Sequence, residues 1–456
     1  MLTITSSSPV SFMNRYASNN DIREVITELL SQLGSSREAR EYLKRFSSVD
    51  SVQFAIIKVG GQVIRDQLAE LASALHFLYQ AGLYPIVLHG AGPQLDEAIR
   101  NAGIESRKID GLRVTTPEVM AIVRQTIYQE NLRLVNALER LGARTRSIQH
   151  GVFECRVADN PDLGLVGSVE RVHLSQIEAA IEANAMPVVT CLGESTSGQV
   201  LNVNADYAVN ALIQEIEPYK IIFITPTGGM LNEHGQIMSS VNLVTDYDRL
   251  VSANWVHSGM RLKLEQIKSL LDKLPDSASV SITSAENLTK ELFTHGGAGT
   301  LIRRGETIVE ACQLTPDDER ALYDLVESCF GRKLLPNWLQ TLNEPRILWL
   351  QSRRGVAVIT QGQDSIHYLD KFAVTPQAQG EGLASALWKE VKQAFPKLYW
   401  RSRSANPINP WYHRHADFSF RAEPWIIFGY GVDDFEQVNR CIIDAAQRPQ
   451  FWTDAK

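Results

Sequence analysis

The sequence predicts an α/β protein: a mostly parallel sheet between helices, followed by a smaller α+β domain. Three observations predict it. From Phe54 to about Ile302, short β-rich runs alternate with amphipathic stretches, as parallel strands and their covering helices do. After about 315 the pattern changes to antiparallel strands and then a strand, a loop and a helix. Two glycine-rich loops, Ile56–Gly61 and Gln377–Gly382, each follow an apolar run and so offer backbone N–H groups to an anion. The first carries Lys58 and suggests a phosphate in transfer; the second has no such lysine and suggests a pyrophosphate that is only held.

At 456 residues the chain has room for two or three domains. Residues 1–20, rich in Ser and Asn, are expected to be mobile. In 21–50, apolar residues at helical spacing (Ile22, Val25, Ile26, Leu29, Leu30, Leu33) break at Gly34-Ser35-Ser36 and predict a helical arm. That arm is either a packed cap or an oligomerisation element; a homo-oligomer is expected. The first large domain, 51–302, takes strands at Phe54–Val59, Tyr84–His89, Met186–Thr190 and Lys220–Thr225, with helices such as Gln67–Ala81 and Pro93–Ala102. A polar connector is expected at 303–318. The second domain, 319–456, takes a helix at Glu319–Phe330, strands at Ile347–Gln351, Val356–Thr360 and His367–Val374, a helix at Leu383–Ala394 and a strand at Leu398–Arg401.

Hydrophobic content of 44% and charged content of 21% are ordinary for a globular protein. A formal charge of -7 argues against nucleic acid or an anionic membrane as the main partner, so anionic substrates depend on locally placed Lys and Arg. The five cysteines are scattered, with no C-x-x-C pair and no histidine frame, which supports neither a disulfide scaffold nor a zinc site. His413 and His415 lack a third ligand, and no metal site is expected. With no secretory pattern and no membrane-length apolar run, a cytoplasmic enzyme is expected.

Lys58 ends a hydrophobic strand before Gly60-Gly61, and His89-Gly90-Ala91-Gly92 ends the next and opens a helix at Pro93. Either loop alone reads better as a tight strand-to-helix turn, since short glycine motifs are weak. The series continues with Asn202-Val203-Asn204-Ala205-Asp206, Thr225-Pro226-Thr227-Gly228-Gly229 and Gly259-Met260-Arg261-Leu262-Lys263. In this order the motifs resemble the amino acid kinase family, acetylglutamate kinases in particular, over residues 54–302. The resemblance implies that Lys58 and Lys263 neutralise a transferring phosphoryl group and that Asp206 holds both lysines. Gly60, Gly61, Gly90, Ala91, Gly92, Thr225 and Gly228 would form the ATP site. Arg113, in Gly111-Leu112-Arg113-Val114-Thr115, and Asn202 would clamp the α-carboxylate of N-acetyl-L-glutamate. A carboxylate nucleophile is already charged, so positioning and electrostatics suffice without a general base. Magnesium would ride on the ATP phosphates. Ala91 stands where such kinases commonly carry a third glycine.

Glu291 to Thr300 resembles the arginine site of feedback-inhibited acetylglutamate kinases. Glu291 would meet an L-arginine effector and Gly297 would offer backbone; a glycine helix cap explains the same residues equally well.

Gln377-x-x-Gly380-x-Gly382, between a strand and a helix, resembles the coenzyme A loop of Gcn5-related N-acetyltransferases, over about 315–456. The flanking Leu369-Asp370-Lys371-Phe372, Trp400-Arg401-Ser402-Arg403, Asn406, Asn409 and Trp411-Tyr412 resemble the synthase domain of vertebrate-like acetylglutamate synthases. The resemblance implies acetyl-CoA on Gln377, Gly380 and Gly382, and L-glutamate on Lys371, Arg401 and Asn406. Tyr412 would protonate the departing thiolate. No base is evident. The combined reading is both activities, acetylation of glutamate and phosphorylation of acetylglutamate, on one chain of arginine biosynthesis. Two alternatives stay open: a kinase with a regulatory coenzyme A-binding domain, and a synthase with an arginine-sensing kinase-like domain.

Overall fold

The segment Ala55–Val59 (AIIKV) is buried throughout except at Lys58, a composition that suits an interior strand of a parallel sheet covered on both faces. It pairs in parallel with Lys220–Ile224 on one side and Ile86–His89 on the other, which sets Lys58 beside Phe223 and Leu88. The computed structural model describes residues 53–453, apart from 257, 276–277, 294–297, 312–313 and 376–382. The N-terminal arm, Gly297 and the Gln377, Gly380 and Gly382 loop therefore lie outside the described residues.

The chain divides into two compact units, one of residues up to 241 with 249–303, the other of 242–248 with 304 onward. In the first, eight strands run in the order Ser240–Asn242, Thr300–Arg303, Ser279–Thr283, Lys220–Ile224, Ala55–Val59, Ile86–His89, Met186–Val189, Thr145–Ile148. Ser279–Thr283 and Thr300–Arg303 are antiparallel, whereas the five pairings from Ser279–Thr283 across to Thr145–Ile148 are parallel. Ile57 and Val59 pack with Leu71, Leu75 and Leu78 of the helix Leu68–Gln80. Leu134, Val135 and Leu138 join the same core from a helix of 24 residues, Pro117–Arg140. Thr116 caps that helix, accepting from the Val119 N–H, and Pro117 opens it. Sequence reading did not single it out, because its buried stripe includes Thr126, Glu130 and Asn131. Among the described residues the unit also holds a four-stranded sheet, Val200–Asn202, Leu192–Glu194, Phe153–Val157, Gly167–Val172, and a two-stranded one, Lys108–Ile109 with Leu112–Arg113.

Among the described residues the second unit holds a sheet of seven strands in the order Ile308–Ala311, Arg346–Leu350, Gly355–Gln361, His367–Val374, Leu398–Arg403, Trp425–Tyr430, Phe418–Ala422. Its neighbours are antiparallel except for His367–Val374 and Leu398–Arg403. Those two pair in parallel only at His367 with Leu398 and Tyr368 with Tyr399, then part company. The stretch 303–318 is not the connector expected: Ile308–Ala311 is the edge strand of this sheet, and the helix Pro316–Phe330 starts within the same range. An edge strand leaves residues such as Val309 exposed, and its sequence then reads as polar linker.

Candidate functional site

In the first unit, Lys58 leaves the sheet just before the strand's carboxyl end, where ligands gather in such folds. Its Nζ lies 2.5 Å from Asp206 Oδ1, with the two side chains 12% and 26% exposed. Asp206 stands in the first turn of the helix Ala205–Ile216, where the helix dipole favours a carboxylate, and Asn204 caps that turn by accepting from the Asp206 N–H at 2.8 Å. Burial works to raise the Asp206 carboxyl, but Lys58 and then Lys263 hold it below the ordinary carboxylate range. Lys263, on the helix Ser258–Leu271, is pushed down first by burial and then by the like charge of Lys58, against the pull of Asp206. Lys58 and Asp206 are in direct contact, and Lys263 lies near enough for its charge to act on Asp206 and to feel Lys58. Cys191, close enough to feel Lys58 and Asp206, is pushed up to about 12 by burial and is no nucleophile.

The glycine loops flank this cluster with fewer open amides than the sequence suggests. Gly90 N–H donates to Val59 O at 3.0 Å, and Gly60 N–H reaches Ile224 O at 3.4 Å. What these two positions supply is clearance: a Cβ on Gly90 would meet that of Ala205 at 3.3 Å. Gly61, Ala91 and Gly92 lie at helix starts, whose N–H groups have no acceptor within the helix. Gly61 is also tightly enclosed, since a Cβ there would sit 2.9 Å from Ala91 Cα. Gln94 ties this turn to the long helix, donating to Gly61 O and to Glu130 Oε2, both at 2.9 Å. Thr225 is buried and its N–H bonds Thr283 O, while Gly228 takes a φ of 71° that favours glycine.

Arg113 is buried and donates to Asp96 Oδ1 at 2.6 Å and to Ser106 Oγ at 2.5 Å. Lys108 approaches the other Asp96 oxygen at 3.6 Å. Asn202 reaches the same place through Thr115, whose Oγ1 accepts from Asn202 Nδ2 at 3.0 Å and donates to Arg113 O at 2.8 Å. Asp96 and Thr115 were not picked out in the sequence. Thr115 sits inside the quoted Arg113 motif, but nothing local reveals which way its hydroxyl bonds. Glu291 is buried and accepts from the Ala298 N–H at 2.8 Å, closing its own loop.

The second unit treats its expected residues differently. A bulge in His367–Val374 pairs Val358 with Lys371 and Ile359 with Leu369, leaving Asp370 without a partner residue. Neighbouring side chains then meet: Lys371 Nζ lies 2.8 and 2.9 Å from the Asp370 oxygens, and Trp338 Nε1 donates to Asp370 at 3.3 Å. The rings of Trp338, Trp452 and Phe451 stand 4.9, 5.5 and 5.8 Å from the same ammonium. Arg401 donates to Ala445 O at 2.9 Å and Pro449 O at 2.7 Å and stacks on Trp425. Asn406 Oδ1 accepts from the Ile408 N–H at 3.3 Å, at the start of the helix Asn409–His415. Tyr412, on that helix, is buried among the rings of Trp388, Trp400, Trp411 and Phe428, and burial raises its hydroxyl well above the ordinary phenol range. Among the described residues, Lys371, Arg401, Asn406 and Tyr412 are each held by a different neighbour.

A model of the amino acid kinase family matches residues 53–282. The chain belongs to the amino acid kinase family. A second model, the N-acetyltransferase of N-acetylglutamate synthase, matches residues 305–448, so the kinase unit is joined to an acetyltransferase unit. The acetylglutamate kinase of Xanthomonas campestris pv. campestris is 48% identical over 420 residues, covering 91% of this chain and 99% of that one. The mitochondrial N-acetylglutamate synthase of Homo sapiens is 30% identical over 434 residues, 92% of this chain and 78% of that one. Among solved structures, the N-acetylglutamate synthase of Neisseria gonorrhoeae complexed with coenzyme A and N-acetyl-glutamate aligns with a TM-score of 0.60 over 86% of this chain and 97% of that one; at 19% identity this is a likeness of fold.

Proposed function

We propose that the chain serves arginine biosynthesis with two transferase chemistries: acetyl transfer from acetyl-CoA to L-glutamate, and ATP-dependent phosphorylation of N-acetyl-L-glutamate on its side-chain carboxylate. The observation that carries the reading is the Lys58–Asp206–Lys263 cluster at the strand ends, a surplus positive charge where a phosphoryl group would be in flight. In the kinase unit the acceptor carboxylate attacks the γ-phosphorus, the bond to the β-phosphate oxygen breaks, and ADP leaves with that electron pair. Lys58 and Lys263 offset the charge gathering on the transferring oxygens, and Asp206 keeps the two lysines aimed. Arg113 and Asn202 hold the α-carboxylate, while Gly61, Ala91 and Gly92 turn N–H groups, and Gly60, Gly90, Thr225 and Gly228 clear space, toward ATP. Among the described residues no group of three or more His, Cys, Asp and Glu could hold a metal ion. Magnesium is assigned to the nucleotide phosphates, whose oxygens suit a hard cation.

In the acetyltransferase unit the neutral glutamate amine attacks the thioester carbon and the C–S bond breaks; the thiolate of coenzyme A takes a proton from Tyr412, and the proton lost by the new amide nitrogen passes through solvent water back to the tyrosine. A hydroxyl raised by burial keeps its proton at neutral pH, as a general acid must. Gln377, Gly380 and Gly382 are assigned to acetyl-CoA, and Lys371, Arg401 and Asn406 to glutamate. L-Arginine is proposed as an effector at Glu291 and Gly297, and the working form as a homo-oligomer. No helix among the described residues is long and apolar enough to cross a membrane. Cys155, Cys191, Cys329 and Cys441 are unpaired, which supports a reducing compartment such as the cytoplasm.

The test is coenzyme A release from acetyl-CoA with and without glutamate, beside ADP release from ATP with and without acetylglutamate. Both activities are expected to depend on their acceptors. Coenzyme A binding without glutamate-dependent release would reduce the second unit to a regulatory module.

A further inference from the structure

We propose that Thr115 is the positioning residue of the acceptor clamp in the kinase unit, joining Arg113 and Asn202 through one hydroxyl. The inference rests on the reading that these two residues hold the acetylglutamate carboxylate. Thr115 is fully buried, and its main chain is pinned on both sides: its N–H donates to Leu163 O at 2.9 Å, and its carbonyl accepts from the Leu165 N–H at 2.7 Å. Gly164 lets that pairing close, since it takes a φ of 67° and a Cβ there would lie 2.5 Å from the Thr115 carbonyl oxygen. The hydroxyl cannot drift to seek other partners.

Its chemistry then dictates the orientation of Asn202. A hydroxyl has one proton, and Thr115 gives it to Arg113 O at 2.8 Å. Toward Asn202 it can only accept, so the amide must present Nδ2, as it does at 3.0 Å. The Asn202 carbonyl oxygen is thereby kept off Thr115, and the second Nδ2 proton remains for an anionic ligand. The same oxygen holds the backbone of Arg113, whose guanidinium is set by Asp96 and Ser106. Two clamp residues from distant parts of the chain thus share one polarity-defined link. Without the hydroxyl, Asn202 loses its acceptor and is free to turn its carbonyl oxygen, a repulsive group, toward the carboxylate.

The experiment measures kcat and both KM values of the full-length chain as Thr115→Val, Thr115→Ser and Arg113→Ala, with thermal midpoints alongside. Thr115→Val, nearly isosteric, should raise the KM for acetylglutamate about tenfold, as losing one hydrogen bond to an ionic ligand would. Its kcat and KM for ATP should stay within about twofold. Thr115→Ser, which keeps the hydroxyl, should restore the KM for acetylglutamate. If the valine variant does not fold, Thr115→Ala carries the same expectation. An unchanged acetylglutamate KM in the variants lacking the hydroxyl, an equal loss for ATP, or a serine variant as poor as valine would overturn the assignment. Arg113→Ala separates the two levels. If it leaves the acetylglutamate KM unchanged, the clamp reading itself falls; if it raises that KM while Thr115→Val does not, only the role of Thr115 falls.

Discussion

Lys58 of the kinase unit and Lys371 of the acetyltransferase unit are both strand lysines, with side chains 12% and 9% exposed, and both are paired with an aspartate. They differ in where the aspartate comes from. Asp206 arrives from a distant helix and also acts on Lys263, so the cluster keeps a net positive charge for an incoming anion. Asp370 is the sequence neighbour of Lys371, turned to the same side by a bulge, and the pair is self-neutralised behind three aromatic rings. Asp206 thus reaches Lys58 across the tertiary structure, whereas Asp370 reaches Lys371 through a local bulge that pairs a buried charge.

The sharpest test removes the surplus charge. Lys263→Ala should cost phosphoryl transfer about 10³-fold, as losing one preorganised charge at a reacting centre does, with acetyl transfer unchanged. If both activities fall in a folded variant, the two sites are not independent and the contrast breaks. The pH profile gives a second handle on the same residue. Because burial and Lys58 lower Lys263, its charge is lost as pH rises through that lowered value, so phosphorylation should decline before the 10.5 of an ordinary lysine. Lys263→Arg should carry the alkaline limb to higher pH.

The aspartates should separate next. Asp370→Ala strands a buried ammonium and should destabilise the acetyltransferase unit by about 3 kcal/mol in denaturant unfolding. Asp206→Ala should cost less stability but far more phosphorylation; equal effects on stability and rate in both variants would erase the distinction. Acid should also divide the units. His89, fully buried and held down to about 4 by burial, refuses a proton that the unfolded chain takes up near 6.5. Stability of the kinase unit should therefore fall as pH drops across that window, by up to about 3 kcal/mol, and His89→Asn should flatten the slope. The smallest effect expected is that of Tyr412→Phe: acetyl transfer down about 10²-fold, phosphorylation unaffected, coenzyme A binding retained.

Much of the scaffold was legible. Ala55–Val59, Ile86–His89, Met186–Val189 and Lys220–Ile224 announce themselves because interior parallel strands are apolar on both faces. Ile308–Ala311 did not, because an edge strand shows solvent half its residues, and Pro117–Arg140 did not, because its buried side includes a glutamate and an asparagine. Lys58, Asp206 and Lys263 were readable as a set from the motif series, and the structure sets Lys58 against Asp206. Arg401, expected to meet a carboxylate, also donates to two main-chain carbonyls near the C-terminus, contacts that no spacing in the sequence signals. The pairing of Asp370 with Lys371 carried no signal, since a one-residue bulge changes which side chains meet without changing the composition of the strand.

By itself the sequence determined the alternation of strands and helices, the glycine positions beside the strand ends, and the residue types available for phosphoryl and acetyl transfer. These are local properties, carried by periodicity and by the absence of side chains at particular glycines. Only the tertiary structure decided several of the partners: Lys371 with its own neighbour, Arg401 with carbonyls, and Asn202 with the hydroxyl of Thr115. Pairing depends on strand register, bulges and the approach of segments far apart in the chain, and a hydrogen bond is won or lost within a few tenths of an ångström, a scale that no spacing in the sequence encodes.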